Sequence, residues 1–169
     1  MLSALVLLHG AEAAPPEAIV RTLTALVPAA VEGVLRDLAL CAPQESKDLL
    51  RICDHAGCDF IAAAAGAPMR EALARLKEQR VFLLRAGRAP QHGYLGEVSD
   101  LVALGAGAGA ALLRDAPHNL VTRIAPSLSP VSALICARAD LADAPLADVA
   151  RLASRLKAPR TLRARMIGA

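Results

Sequence analysis

Aromatic side chains are nearly absent from this 169-residue chain, which has one Tyr, two Phe and no Trp. A core must therefore be assembled from Ala, Leu and Val, and bases of a single-stranded nucleic acid would find no stacking platform. Strong charge of one sign is also lacking. Nineteen basic and sixteen acidic residues leave a net charge of +3, too little to indicate DNA or RNA binding but enough to favour a phosphorylated ligand. The densest basic cluster is Arg160, Arg163 and Arg165. No apolar run reaches the roughly 20 residues of a membrane span. The longest near-neutral stretch, Leu101 to Leu113, is bounded by Asp100 and Arg114 and reads as a core segment. Met1 to Leu8 is apolar but has no leading positive charge and no cleavage-like context, so no secretory signal is read there. The four cysteines (Cys41, Cys53, Cys58, Cys136) are therefore expected as reduced thiols, and the cytoplasm as the location.

What is present is an alternation of short apolar runs with longer helical patterns, the signature of a largely parallel sheet covered by helices. Strands are predicted at Leu2–Leu8, Val34–Leu40, Cys58–Ala62, Val81–Leu84, Ala110–Arg114 and Val131–Ala137. Helices are predicted from Pro15/Pro16 to about Val27, over Lys47–Ala56, from Pro68 to Lys77, over Tyr94–Leu104 and over Pro145–Leu156. Ser46 stands where a cap would start the second of these and Gly57 where a left-handed glycine would end it. Arg85 to Gly93 reads as a loop, and Pro117, Pro126 and Pro130 mark an irregular segment. Residues 1–169 are thus expected to form one α/β domain, three-layer α/β/α and Rossmann-like, around a mostly parallel sheet.

Several segments in this order resemble the nucleotide-binding half of the family 2 glycosyltransferases, a glycosyltransferase A-type nucleotide-sugar domain. They are Leu2–Leu8, "RTLTALVPAAVEGVLRDLAL" (21–40), "LRICDHAGCDFI" (50–61) and "VFLLRAGRAPQHGYLGEV" (81–98), with a weaker likeness in "PLADVARLASRL" (145–156). The match is strong between about Arg21 and Val98. The resemblance implies a sugar-nucleotide ligand, an aspartate pair after the second strand that reads the base, a metal-binding Asp-x-Asp after the fourth, and a catalytic aspartate on the closing helix.

This chain departs from that pattern. After the second strand stand Cys41, Ala42 and Pro43, with Glu45 and Asp48 nearby as parts of the next helix. Glu45 can serve a ligand or simply the positive end of that helix. The metal-motif position reads Arg85-Ala86-Gly87, and arginine offers no oxygen to Mg²⁺ or Mn²⁺. The metal site is therefore read as lost and no cofactor is expected. Arg85 and Arg88 either bind phosphate directly in place of the metal, through forked hydrogen bonds, or are solvated loop arginines. Asp148 falls where the family carries its catalytic acid, with Ala147 in place of the usual glutamate and Asp140 and Asp143 as competitors. His9, after the first strand, lies where open α/β sheets gather their ligands, yet a lone loop histidine is commonly just solvated. Cys53-x-His55-x2-Cys58 offers a soft metal only three ligands, against a reading as buried thiols. Gly105-x-Gly107-x-Gly109 does not match the dinucleotide fingerprint.

The leading expectation is a family 2 glycosyltransferase-like chain without metal-dependent activity, acting as a nucleotide- or sugar-nucleotide-binding or regulatory module. An active metal-independent transferase with Asp148 as base is one alternative. A structural or assembly protein forming a homo-oligomer is another. A nucleotidyltransferase would be expected to carry a glycine-rich, lysine-containing loop after the first strand, which "HGAEAAPPEA" is not.

Overall fold

Leu2 to Leu7 is an unbroken apolar run, and every residue of it is buried. Such a strand has to lie inside a sheet with both faces covered. In the computed structural model, which describes residues 1–8, 14–105, 109–157 and 159–169, this strand (β1, Leu2–Leu7) runs parallel to β2 (Leu35–Ala42) and β4 (Arg80–Arg85). β3 (Asp59–Ala62) adds to β2, again parallel. Beyond β4 the directions are mixed. β7 (Val131–Ala137) is antiparallel to β4 and to β6 (Ala111–Asp115), and β8 (Arg160–Gly168) is parallel to β6 and antiparallel to β5 (Arg88–Pro90). The order across the sheet is β3-β2-β1-β4-β7-β6-β8-β5. The sheet is mixed, which corrects the expectation of a mostly parallel one.

Helices α1 (Pro16–Thr24), α2 (Val27–Val31), α3 (Lys47–Ala56) and α5 (Tyr94–Ala103) line one face, where Ile19, Leu23, Ala29, Cys53, Val98 and Leu101 meet Phe82, Leu84 and Ile135. Helices α4 (Met69–Leu73) and α7 (Val149–Ala153) line the other, with Met69, Leu73, Val149 and Leu152 against Leu5, Leu83 and Leu134. The α/β/α layering therefore holds. The one tyrosine, Tyr94, is buried and its hydroxyl donates to Ala25 O at 3.0 Å, tying α5 to the end of α1. The guanidinium of Arg80 donates to Leu101 O and Gly105 O, satisfying carbonyls at the end of α5.

Local signals explain α3 fully. Ser46 Oγ accepts from Leu49 N at its start, and Gly57 closes it with φ +66°, returning its N–H to Asp54 O. Elsewhere the elements differ from expectation. The helix expected to reach about Val27 ends at Thr24, and Pro28 sits at the start of a second helix, α2, where its missing N–H costs nothing. The loop after β4 contains β5, with Pro90 tolerated because β5 is an edge strand. The proline-bearing segment contains α6 (Leu120–Ile124), and the closing helix shrinks to α7. β8 was not expected at all. All four cysteines are free thiols.

Candidate functional site

Parallel strands leave a crevice beyond their carboxyl ends, where ligands of open α/β sheets collect. In this sheet that end is set by Leu7, Cys41 and Arg85, which stand level across β2, β1 and β4. Arg85 is thus the last residue of a central strand. It is half-buried, and its guanidinium meets no hydrogen-bond or ion-pair partner among the described residues.

Continuing the β4–β7 register one step past Leu84 and Ala133 brings Arg85 beside Ser132. Ser132 is itself displaced from the ladder: β6 pairs Leu113 with Ala133 and then Arg114 with Val131, so Ser132 is the extra residue of a bulge. β8 slips at the same place, where Arg114 faces Arg165. Bulges re-aim side chains and gather beside functional sites. The hydroxyls of Ser132 and Ser129 and Nη1 of Arg165 are all buried and have no hydrogen-bond partner among the described residues. Arg114 is engaged, donating to Ser129 O at 2.7 Å. This end of the molecule therefore offers guanidinium donors and hydroxyls, and Oδ1 of Asp115 is a buried acceptor that also has no partner among the described residues.

Arg88 is placed differently from Arg85. Its Nη2 lies 3.3 Å from Oδ2 of Asp115, whose side chain is 4% exposed, so its charge neutralises a buried carboxylate that joins β5 to β6. Glu45 is exposed in the loop between β2 and α3, outside the helix that was expected to hold it. Asp148 caps α7: its Oδ1 accepts from Arg151 N at 2.9 Å and Oδ2 lies 3.6 Å from Arg151 Nε. Just before it, Leu146 exchanges backbone hydrogen bonds with Gly66 and Ala67, so the lead-in to α7 adjoins the loop that follows β3. Asp140 is also a local cap, accepting from Ala137 N at 3.2 Å. His9 and Gly107 lie outside the described residues.

Among the described residues no group of three His, Cys, Asp or Glu side chains is placed to hold a metal ion. Cys53 and Cys58 are neighbours at the end of α3, where Cys58 N donates to Cys53 O at 3.0 Å, but His55 is exposed. Burial pushes Cys58 up to about 12 and also raises Cys53, so both favour the neutral thiol over the thiolate a metal needs. A cavity of about 650 Å³ opens at the opposite end of the molecule, lined by Leu23, Leu26, Val27, Leu35 and Ile52 between α1, α2 and α3.

Sequence reasoning singled out Arg85 and passed over Ser132, Ser129 and Arg114. A bulge leaves no mark in hydrophobic periodicity, and Ser132 interrupts an apolar run that reads as a plain strand.

No protein-family model matches the chain, and no curated protein matches it. Solved structures do share its fold. HddC of Yersinia pseudotuberculosis, crystallised with GMP-PN, is similar with a TM-score of 0.61 and 9% identity, over 99% of this chain and 93% of that one. The inositol-1-phosphate CTP transferase of T. maritima gives 0.54 and 8%, over 100% and 89%. Glucosyl-3-phosphoglycerate synthase of Mycobacterium tuberculosis, in complex with phosphoglyceric acid, gives 0.58 and 12%. That match takes in 82% of this chain but only 57% of the synthase. What these comparisons show is the fold that the chain shares with the three structures.

Proposed function

We propose that this chain is a sugar-nucleotide-binding domain, similar to the family 2 glycosyltransferases, in which arginine has replaced the divalent metal. The observation that carries this reading is Arg85: a half-buried guanidinium with no partner among the described residues, ending a central strand where a diphosphate would lie. A planar guanidinium offers two parallel N–H donors to phosphate oxygens, a geometry that needs no bridging ion. The buried hydroxyl of Ser132, one register step away, supplies a further donor.

The residues at this position do not fit Mg²⁺ or Mn²⁺. Hard cations take oxygen ligands, and the segment after β4 reads Arg85-Ala86-Gly87. The carboxylate of β6, Asp115, gives Oδ2 to Arg88 and keeps only Oδ1 unpartnered among the described residues, and Asp148 is taken up by a helix cap. Asp148, the acid that the resemblance offers as a base, is thus occupied as a cap, and the reading is of binding rather than transfer.

Isothermal calorimetry against UDP- and GDP-sugars, with Mn²⁺ and with EDTA, tests it. Binding is expected to be indifferent to the metal and to weaken at least tenfold in Arg85→Glu. Affinity that appears only with Mn²⁺, or an Arg85→Glu variant that binds as tightly as the parent, overturns the reading. A second reading, nucleotidyl transfer, is supported by the near end-to-end fit of the fold to the CTP transferase. Release of pyrophosphate from CTP or GTP in the presence of a sugar phosphate would favour it.

A further inference from the structure

The excursion from Ala116 to Pro130 leaves the sheet at the end of β6 and returns at the start of β7, on the same end as Arg85. It turns large apolar side chains to solvent: Leu120 is 73% exposed, Val121 60%, Ile124 77% and Leu128 64%. At about 100° per residue, Leu120, Ile124 and Val121 fill one arc of α6, and Thr122 falls on the opposite side. Thr122 is buried, and it fixes this orientation. Its N–H donates to Asn119 Oδ1, and its hydroxyl accepts from the Asn119 N–H, completing a capping box. The apolar arc is thus held outward by the same bonds that start the helix. Leu128 extends it into the 3-10 turn Pro126–Leu128 against which α6 leans.

The charge carried by this segment has one sign. Between Ala116 and Ala137 the sequence contains no Asp or Glu, and its basic groups are Arg123 and His118. On the helical wheel Arg123 adjoins Leu120 on the edge of the arc. Asp115, the acid that precedes the segment, is buried against Arg88 and shows no charge to the surface.

We propose that this face docks on an anionic lipid surface. Acyl chains would receive Leu120, Val121, Ile124 and Leu128, and headgroup phosphates would face Arg123, the combination that places amphipathic helices at membrane interfaces. A second copy of the chain would satisfy the apolar arc but would bring Arg123 and His118 of both faces together with no acid between them. The sign of the rim therefore selects the lipid over the self-partner. The inference does not depend on the nucleotide reading.

Sedimentation with vesicles tests it. The whole chain is expected to partition onto phosphatidylcholine–phosphatidylglycerol vesicles at least tenfold more strongly than onto phosphatidylcholine alone, and to be released by salt. The Leu120→Glu/Ile124→Glu variant, which leaves Asn119 and Thr122 in place, is expected to lose at least tenfold of that partition with unchanged thermal unfolding. Should the double variant unfold, Leu128→Glu is expected to show the same direction of loss. Indifference of the parent chain to phosphatidylglycerol overturns the proposal. So does a variant that binds as well as the parent, or one whose only change is from dimer to monomer in light scattering.

Discussion

At the scale of single residues, the polar groups of this chain divide into those spent on structure and those left over. Asp148, which the family resemblance offers as a catalytic acid, makes two contacts that account for it as a cap of α7. Asn caps helices as well as Asp, whereas Ala cannot accept the bond. Asp148→Asn is therefore expected to unfold in urea at the parent concentration, and Asp148→Ala to lose about 1 kcal/mol. An Asn variant as unstable as the Ala variant would show that charge rather than capping matters there. The exposed contact to Arg151 adds little, since such pairs contribute roughly 0 to 1 kcal/mol. Arg85 shows the limit of sequence reading from the other side. Its position at the end of an apolar strand was legible, but its lack of a partner among the described residues depends on which way β5, β6 and β8 turn.

At the scale of elements, glycine geometry decides where β5 goes. Gly87 has φ +80°, its N–H donates to Thr22 Oγ1 at 3.0 Å, and a Cβ there would come within 3.1 Å of the Ala14 Cβ. Gly57 has a similar φ but open space around it. Gly57→Ala is expected to cost about 1 kcal/mol and Gly87→Ala about 2 kcal/mol or more, because strain and crowding add only at the second. Equal losses in urea titrations would remove the packing part of that argument. Capping and periodicity gave the bounds of α3 and the position of β7 directly, because the signals are local. β8 was hidden for a physical reason. Leu162, Ala164 and Met166 alternate inward, but the arginines between them read as a basic patch rather than as the solvent side of a strand. β5 is only three residues long and includes a proline, so no periodicity can reveal it. The mixed direction of the sheet follows from β7, which runs back along β4, and strand direction is a property of long-range pairing that an apolar run does not encode.

At the scale of the whole molecule, a core of Ala, Leu and Val also encloses thiols. Burial pushes Cys41, Cys58 and Cys136 up to about 12, from an ordinary value near 9. Tyr94 rises to about 12 as well, through burial and then the nearby charge of Glu32. The folded chain holds these protons more tightly than the unfolded chain does, so the stabilisation is complete below about pH 9 and is lost as pH rises toward 12. Tm is expected to be flat from neutral pH to about 9 and to fall steadily above it; a Tm unchanged at about pH 11 would contradict this burial. Tyr94 has a further use. With no indole anywhere in the chain, its phenol is the sole intrinsic fluorophore of note, and it is clamped between α5 and the end of α1. The protein thus carries its own site-specific optical label. Emission followed during denaturation watches one contact, while circular dichroism watches every helix, and a gap between the two curves would time the release of α5 against the rest.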